Sequence, residues 1–280
     1  MLTDYHLHLR PDDHDATPAG YFTPSNAERY RRAAEERGIS ELGVSEHIYR
    51  FTAALELWRH PFWESYARDD LDQYCGFVRE QTDLRLGIEA DFIAGAEDRT
   101  ANLLEARDFD YVVGSVHFIR EGFVDMEDYT VWDPTDPRRS PEAVWGRYFE
   151  TVAESARSGL FDIISHPDLI KIWGPGHPGR RPAGDLRRYY EPTVEAFADA
   201  GVAVEISTAG LRKPVAEIYP ARAFLELCLQ AGVPLALSSD AHRPEDVGAG
   251  YDEALALLGE LGVDQIAVFE GRRRRMEPIG

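Results

Sequence analysis

The sequence of 280 residues predicts an α/β fold of the barrel type, built from seven or eight β/α units. Short apolar runs alternate with amphipathic segments along the chain, which is typical of parallel strands joined by helices. Residues that can bind metals follow the ends of the predicted strands, where barrel enzymes build their active sites. The helix-to-strand connections are short and no Ser/Gly-rich linker interrupts them, so we expect one domain over residues 1–280.

Seven apolar runs are predicted to form the barrel strands. They are LTDYHLH (2–8), ELGVSEH (41–47), LRLGIEADF (84–92), DYVVGSVH (110–117), FDIISH (161–166), VAVEIS (202–207) and VPLALSSDAH (233–242). A late apolar run, QIAVFE (265–270), is a candidate eighth strand.

Helices are predicted between these strands, at residues 24–37, 66–81, 96–106, 141–158, 187–200, 217–231 and 244–261. Proline suits the first turn of a helix and glycine its end. The prolines at such starts are Pro24, Pro141 and Pro244, and the glycines at such ends are Gly38, Gly159, Gly201 and Gly232. Two longer irregular stretches, 118–140 and 171–186, are predicted to be loops that shape a pocket.

The composition excludes several classes of partner. A formal charge of −20 opposes general attraction to nucleic acid or to anionic lipid. The N-terminus does not read as a signal peptide and no apolar run reaches membrane-spanning length. Cys75 and Cys228 lie too far apart in sequence to suggest a disulfide framework. We therefore expect a cytoplasmic protein that acts on a small molecule.

Nine residues of metal-binding type lie at the ends of the predicted strands. They are His6, His8, His14, His47, Glu89, His117, His166, Asp240 and His242. The HLH segment at residues 6–8 places two imidazoles two residues apart, so both point to the same face of a strand. The DAH segment at residues 240–242 repeats this spacing near the other end of the chain. The combination predicts a metal centre more strongly than either segment alone.

Taken singly, several of these residues have an ordinary structural explanation. His117 and His166 are each compatible with a core or rim histidine, and His14 and His47 with a structural or surface role. Glu89 lies in an otherwise apolar strand, where either a cation or an arginine must neutralise it. Taken together, independent histidines would scatter, yet only two of the nine histidines lie outside the strand-end pattern. Nine mixed imidazole and carboxylate ligands predict several zinc, iron or manganese ions.

The motifs around these residues resemble the PHP family, named for polymerase and histidinol phosphatase. The matching segments are DYHLH (4–8), His14, SEH (45–47), GIEADF (87–92), GSVHF (114–118), SHPDLIK (165–171), EISTAGLRK (205–213) and SSDAH (238–242). They cover nearly the whole chain in order, and three of them are most similar to the histidinol phosphatase branch. The resemblance implies a distorted (β/α)7 barrel that holds three divalent metal ions.

The resemblance also implies a ligand set for each ion. The first ion would be held by His6, His8, Glu89 and Asp240, the second by Glu89, His117 and His166, and the third by His14, His47 and His242. Among these, Glu89, Asp240 and His242 are expected to be catalytic. A water held between two ions can be a hydroxide at neutral pH and would attack the phosphorus atom of a phosphomonoester. The expected reaction is hydrolysis of L-histidinol phosphate to L-histidinol and phosphate.

Cationic and hydroxyl groups near the same strand ends are predicted to bind the phosphate. Arg212 is the first candidate, because its planar guanidinium can bind two phosphate oxygens at once. Lys213, Lys171 and Arg243 are further cationic candidates, and Ser207 stands where the family often has Asn. The alternative is that the cations are exposed loop charges and that the hydroxyl only caps the next element.

Three other functions share parts of this pattern. The same metal centre could act on nucleotides or other small phosphate esters. An amidohydrolase also opens with HxH, but it commonly bridges its metals with a carbamylated lysine, and this chain has only two lysines. A metal-stabilised binding module is a third alternative, against which the complete ligand set argues.

Overall fold

The structure is a computed structural model that describes residues 1–13 and 15–280. Its strands are β1 (Thr3–Asp4), β2 (Glu41–Val44), β3 (Arg85–Asp91), β4 (Tyr111–Ser115), β5 (Phe118–Ile119), β6 (Gly122–Phe123), β7 (Ile163–Ile164), β8 (Ala203–Ser207), β9 (Leu235–Ser238), β10 (Gln265–Glu270) and β11 (Arg273–Pro278). Seven of them form one parallel sheet in the order β1-β2-β3-β4-β7-β8-β9. A parallel bridge between Leu7 and Ala241 joins the two edges. The predicted distorted (β/α)7 barrel is therefore confirmed.

The α-helices of the described residues lie between these strands. They are α1 (Pro18–Tyr21), α2 (Pro24–Glu36), α3 (Pro61–Tyr66), α4 (Leu71–Gln81), α5 (Glu97–Glu105), α6 (Pro141–Arg157), α7 (Arg187–Ala200), α8 (Arg222–Gln230) and α9 (Tyr251–Glu260). Pro24 and Pro141 occupy first turns, as predicted. Gly201 ends α7 at a φ of 70°, a left-handed conformation that glycine adopts without steric cost.

Three predicted helices differ from the structure at their starts. The segment 66–81 is broken, because Asp70 accepts hydrogen bonds from two backbone N–H groups and caps α4. In 217–231 the helix begins only at Arg222, since Tyr219 pairs with Ser207 and Pro220 follows. In 244–261 a short 3₁₀ turn at Pro244–Asp246 precedes α9.

The candidate eighth strand does not join the barrel. β10 instead pairs antiparallel with β11, through a two-residue turn at Gly271 and Arg272 in which both residues have positive φ. Such a turn matches the twist of a hairpin, so the chain folds back on itself locally. Val268 and Phe269 of this hairpin pack against Tyr5 and other residues near the starts of the barrel strands. The hairpin thus covers the barrel end opposite the predicted site.

The barrel interior is filled by a few large side chains. Tyr111 is fully buried, and a Cβ atom would lie 2.4 Å from its hydroxyl oxygen at Gly43 and 2.3 Å from its ring at Gly87. Both neighbouring strands therefore need glycine where the tyrosine lies across them. Among the described residues, no helix combines the length and apolar character needed to cross a membrane.

Candidate metal centre

Eight of the nine predicted ligands come together at the carboxyl ends of the barrel strands, and His14 lies outside the described residues. His6 and His8 follow β1, while Glu89 lies inside β3 with its side chain directed into the barrel mouth. Parallel strands bring their carboxyl ends to one edge, so residues distant in sequence become neighbours there. The eight side chains form a single connected cluster.

Glu89 is the centre of this cluster. Its Oε1 atom lies 3.3 Å from Nε2 of His166 and 3.5 Å from Nε2 of His117. Its Oε2 atom lies 3.4 Å from Nε2 of His6 and 3.7 Å from Nε2 of His8. Two ligand atoms that bind one tetrahedral ion at about 2.1 Å are about 3.4 Å apart. These separations therefore suit shared coordination of divalent ions by the carboxylate and the imidazoles.

Asp240 faces the same imidazoles from the end of β9, where the two edges of the barrel sheet meet. Its Oδ1 atom lies 3.4 Å from Nε2 of His8, 3.7 Å from Nε2 of His6 and 3.6 Å from Nδ1 of His242. Its backbone has a φ of 50°, which is uncommon for a residue with a Cβ atom. The DxH segment therefore delivers both of its side chains to the cluster, as the spacing predicted.

A second group of imidazoles lies beside the first. His47 and His242 approach through their Nε2 atoms at 3.4 Å, and the ring of His47 stacks on that of His8 with centroids 4.1 Å apart. His47 also contacts Glu89 through Nδ1. The ligand atoms of His8, His47 and His242 all lie within 4.8 Å of one another. The sequence alone did not separate a ligand role for His47 from a structural one, and the structure places His47 within the cluster of proposed ligands.

Several buried polar atoms of the site lack hydrogen-bond partners. Those that belong to predicted ligands are Nε2 of His6, both ring nitrogens of His8, Nδ1 of His47, Oε2 of Glu89, Nδ1 of His166 and Oδ1 of Asp240. A buried polar atom without a partner is costly, and native proteins rarely collect several at one point. Lone pairs that converge in this way fit divalent cations. The arrangement of these residues therefore fits a metal-binding site.

Burial and mutual contact shift the pKa values of the ligands. Burial lowers the pKa of His47 to about 3 and the pKa of His8 well below its usual value, and neighbouring histidines lower the latter further. Burial alone would raise the pKa of Glu89 and of Asp240, but the facing histidines hold both well below their usual values. These carboxylates are ionised and these two imidazoles neutral, which is the form that binds a cation.

Two outer carboxylates orient the imidazoles. Glu205 Oε1 lies 2.7 Å from Nδ1 of His6, and its Oε2 accepts a hydrogen bond of 2.7 Å from the backbone N–H of His166. Asp91 Oδ1 lies 2.8 Å from Nδ1 of His117. A carboxylate on one ring nitrogen leaves the other free to bind a metal. Burial alone would lower the pKa of His6, but Glu205 is the first of three carboxylates that raise it well above its usual value.

Sequence reasoning assigned these outer residues incompletely. Glu205 was given no role from the sequence, and the structure shows that its partners are His6, His166 and the hydroxyl of Ser238. Asp91 was missed, although it lies two residues after Glu89 on a buried strand and so points to the same face. The two-residue spacing from Glu89 could therefore have indicated that Asp91 faces the site.

The predicted phosphate-binding cations lie at different distances from the cluster. Nη2 of Arg212 donates to the backbone oxygens of Ser239 at 2.7 Å and Asp240 at 3.2 Å, so its guanidinium lies beside a predicted ligand. Lys213 is the next residue and is exposed. Arg243 follows His242 and is also exposed. These three cations remain candidates for the phosphate site.

Lys171 and Ser207 are engaged within the protein. The buried ammonium of Lys171 donates to the backbone oxygen of Ile218 at 2.8 Å and lies 3.1 Å from Asp168 and 3.2 Å from Glu217. Its three donors are thereby occupied. The hydroxyl of Ser207 accepts from the backbone N–H two residues later and caps the following 3₁₀ helix. Neither Lys171 nor Ser207 is part of the proposed phosphate site.

Asp125, in the predicted loop 118–140, was not anticipated from the sequence. Its Oδ1 atom is buried without a hydrogen-bond partner. Burial raises its pKa, and the nearby ligands His117 and His166 oppose that rise. The loop therefore brings one more carboxylate to the edge of the cluster.

Comparisons with known proteins agree with this geometry. Residues 23–209 match the model of the PHP domain family. A probable histidinol-phosphatase from Deinococcus radiodurans is 32% identical, with 99% of both chains covered. The histidinol-phosphatase of Bacillus subtilis is 26% identical, over 87% of this chain and 97% of that protein.

Two solved structures share the fold. A putative histidinol phosphatase from Listeria monocytogenes aligns with a TM-score of 0.70 at 18% identity, covering 90% of this chain and 99% of its own. A histidinol phosphate phosphatase from Lactococcus lactis, solved with zinc, L-histidinol and phosphate, aligns with a TM-score of 0.69 at 19% identity and covers 98% of both chains. The same barrel thus extends over nearly the whole of all three chains.

Proposed function

This chain belongs to the PHP domain family, and from that premise we propose that it is a metal-dependent phosphomonoesterase that hydrolyses L-histidinol phosphate to L-histidinol and phosphate. The observation that carries the proposal is the convergence of imidazole and carboxylate atoms without partners around Glu89. The relatives named histidinol-phosphatase that match nearly the full chain support the choice of substrate. The resemblance detected in the sequence is confirmed at the level of the family.

We assign three divalent ions, of zinc, iron or manganese, to this cluster. One set of ligands is His6, His8, Glu89 and Asp240, a second is Glu89, His117 and His166, and a third is His14, His47 and His242. When bound, such ions lower the pKa of a coordinated water and offset negative charge on a phosphoryl group. The chain itself orients the ligands: Glu205 and Asp91 hold Nδ1 of His6 and His117, so Nε2 of each faces Glu89.

Arg212 is the proposed phosphate-binding side chain. Nη2 donates to the backbone oxygens of Ser239 and Asp240 and Nε lies 3.7 Å from Oδ1 of Asp246, while Nη1 is not engaged by any described residue. A guanidinium fixed at one nitrogen and free at the other can donate to phosphate with little loss of side-chain entropy. Lys213 and Arg243 are exposed nearby and would add positive charge at the mouth of the site.

Asp125 is proposed to bind the ammonium group of the substrate. L-Histidinol phosphate carries a primary ammonium, which a nucleotide or a simple aryl phosphate lacks. The unpartnered Oδ1 of Asp125, beside His117 and His166, is an acceptor available to that cation. This residue favours an amino alcohol phosphate over a nucleotide as the substrate.

The test is steady-state kinetics with enzyme of measured metal content. We expect kcat/KM for L-histidinol phosphate to exceed that for AMP and for p-nitrophenyl phosphate. Asp125→Asn should raise KM for L-histidinol phosphate by about tenfold, as loss of a hydrogen bond to a charged group does, and leave p-nitrophenyl phosphate hydrolysis unchanged. A higher kcat/KM for AMP would refute the proposed substrate but leave the metal-dependent phosphatase activity intact.

We further propose that residues 1–280 act as one domain in the cytoplasm, on a small substrate. The formal charge of −20 supports a small substrate, because it opposes binding to nucleic acid and anionic membranes.

A further inference from the structure

A separate cavity is formed by segments that follow β2 and by the first turns of α6. Its volume is about 920 Å³, and it is lined by side chains from residues 58–61, 119–122, 129–131 and 136–147. None of the lining residues is a predicted metal ligand or a proposed contact of the substrate. Cavities of roughly 300–1,000 Å³ are the usual size for small-molecule ligands. The proposed function does not use this cavity.

The walls of the cavity are positively charged, although the chain as a whole carries −20. The charged lining residues are Arg59, Arg120, Arg138, Arg139 and Arg147 against Glu121 and Asp136. An excess of three positive charges in a strongly acidic protein selects for an anion. Arginine in particular binds phosphate and carboxylate through paired donors.

Several of these guanidinium groups are available to a ligand. Arg120 has no hydrogen-bond or ion-pair partner within residues 1–13 and 15–280. Arg59 lies 3.5 Å from Glu64, with both side chains largely exposed, and such surface pairs are weak. Nη1 of Arg139 makes only long contacts of 3.4 Å with two backbone oxygens. An anion could engage all three without breaking a strong interaction.

One wall of the cavity is aromatic. Trp58 stacks on His60 with ring centroids 4.5 Å apart, and Tyr129 meets the edge of His60 at 5.1 Å. Tyr129 is 52% exposed. It is one of two exposed large hydrophobic side chains among the described residues. A flat ring could stack on these faces, as nucleobases do on aromatic side chains.

The backbone holds two of the ligand-facing residues in an unusual conformation. Arg120 and Tyr129 have φ values of 55° and 54°, in the left-handed region that disfavours residues with a Cβ atom. His166 and Asp240 of the metal centre share this property. At Arg120 this conformation belongs to the two-residue turn between β5 and β6, because such hairpin turns use positive φ.

We propose that this cavity is a binding site for a nucleoside monophosphate. Arg120, Arg59 and Arg139 would bind the phosphate, and Tyr129 with Trp58 would stack on the base. The site is separate from the metal centre, so occupancy does not require a metal ion.

Calorimetric titration of the holoenzyme with AMP tests this proposal. Arg120→Ala should weaken AMP binding by about tenfold, because it removes a charge-assisted hydrogen bond, and Tyr129→Ala by about fivefold, because it removes a stacking face. Arg32→Ala, at an exposed arginine of α2 outside the cavity, is the matched control and should bind AMP like the wild type. Adenosine should bind about tenfold more weakly than AMP.

Turnover of L-histidinol phosphate distinguishes this cavity from the metal centre. All three variants should retain wild-type turnover, and AMP should not compete with the substrate. The proposal is overturned by the absence of saturable AMP binding, or by AMP binding that competes with L-histidinol phosphate and is unchanged in Arg120→Ala. Failure of L-histidinol phosphate as a substrate would refute the proposed function and leave the AMP titration interpretable.

Discussion

Replacing Glu205 by glutamine should weaken metal binding although Glu205 is not itself a proposed ligand. Its two oxygens accept from Nδ1 of His6 at 2.7 Å, from the backbone N–H of His166 at 2.7 Å and from the hydroxyl of Ser238 at 2.6 Å. A glutamine has only one accepting oxygen, so its NH2 group must face either the His6 ring or the His166 N–H. Loss of one charge-assisted hydrogen bond costs about 1.5–3 kcal/mol, and loss of such an outer carboxylate typically lowers metal affinity about 10- to 100-fold.

The assay is competition between the protein and a chromogenic chelator for zinc, together with thermal unfolding of the metal-free protein. Ser238→Ala is the matched control, since it removes a single neutral donor to the same carboxylate and should change metal affinity by less than about fivefold. If Glu205→Gln lowers the stability of the metal-free protein but leaves zinc affinity unchanged, Glu205 acts only in packing and the orientation argument is wrong.

Three further predictions concern stability and accessibility. Removing the metals with a chelator should lower the unfolding midpoint by about 7 °C for each ion lost, because one ion at about 1,000 times its Kd stabilises by about 4.1 kcal/mol and unfolding entropy is about 2.1 cal/mol/K per residue. Differential scanning calorimetry measures this, and an unchanged midpoint would contradict a metal-stabilised site. Gly87→Ala should destabilise by about 1–3 kcal/mol in chemical denaturation, since its Cβ would lie 2.3 Å from the buried ring of Tyr111. Burial raises the pKa of Cys75 to about 12 and raises the pKa of Cys228 further. Both thiols therefore stay protonated at about pH 8, and neither should react with a thiol reagent at that pH until denaturant is added.

The proposed ligands could be selected from the sequence because each has a metal-binding side chain and lies at the end of a predicted strand. The HLH and DAH spacings fix side chains on one face of a strand, and parallel strands deliver their carboxyl ends to one place. His47 could not be assigned in this way, because nothing in SEH separates a ligand from a rim histidine. Only its contact with Glu89 and its approach to His242 at 3.4 Å distinguish it.

Contacts between side chains that lie far apart in the sequence could not be predicted. Glu205 lies on β8 and meets His6 at the end of β1, 199 residues away, across the mouth of the barrel. The arginine-rich cavity escaped notice for the same reason, since its walls come from separate segments between β2 and α6. The segment QIAVFE was a candidate eighth barrel strand because it has the composition of one. Its pairing with β11 instead depends on the turn that follows it.

The proposed ligand set also accounts for an anionic substrate in an acidic protein. Of the nine proposed ligands only Glu89 and Asp240 are acidic, and the pKa values of both are held well below the usual range. Three divalent ions bound by two carboxylates and seven neutral imidazoles would carry about +4, which the outer carboxylates Glu205 and Asp91 reduce to about +2, still enough to attract a phosphate dianion in a low-dielectric pocket. A set richer in carboxylates would bind the ions but cancel that field. The imidazole-rich composition of the site is therefore what allows a chain of charge −20 to attract a phosphate ester.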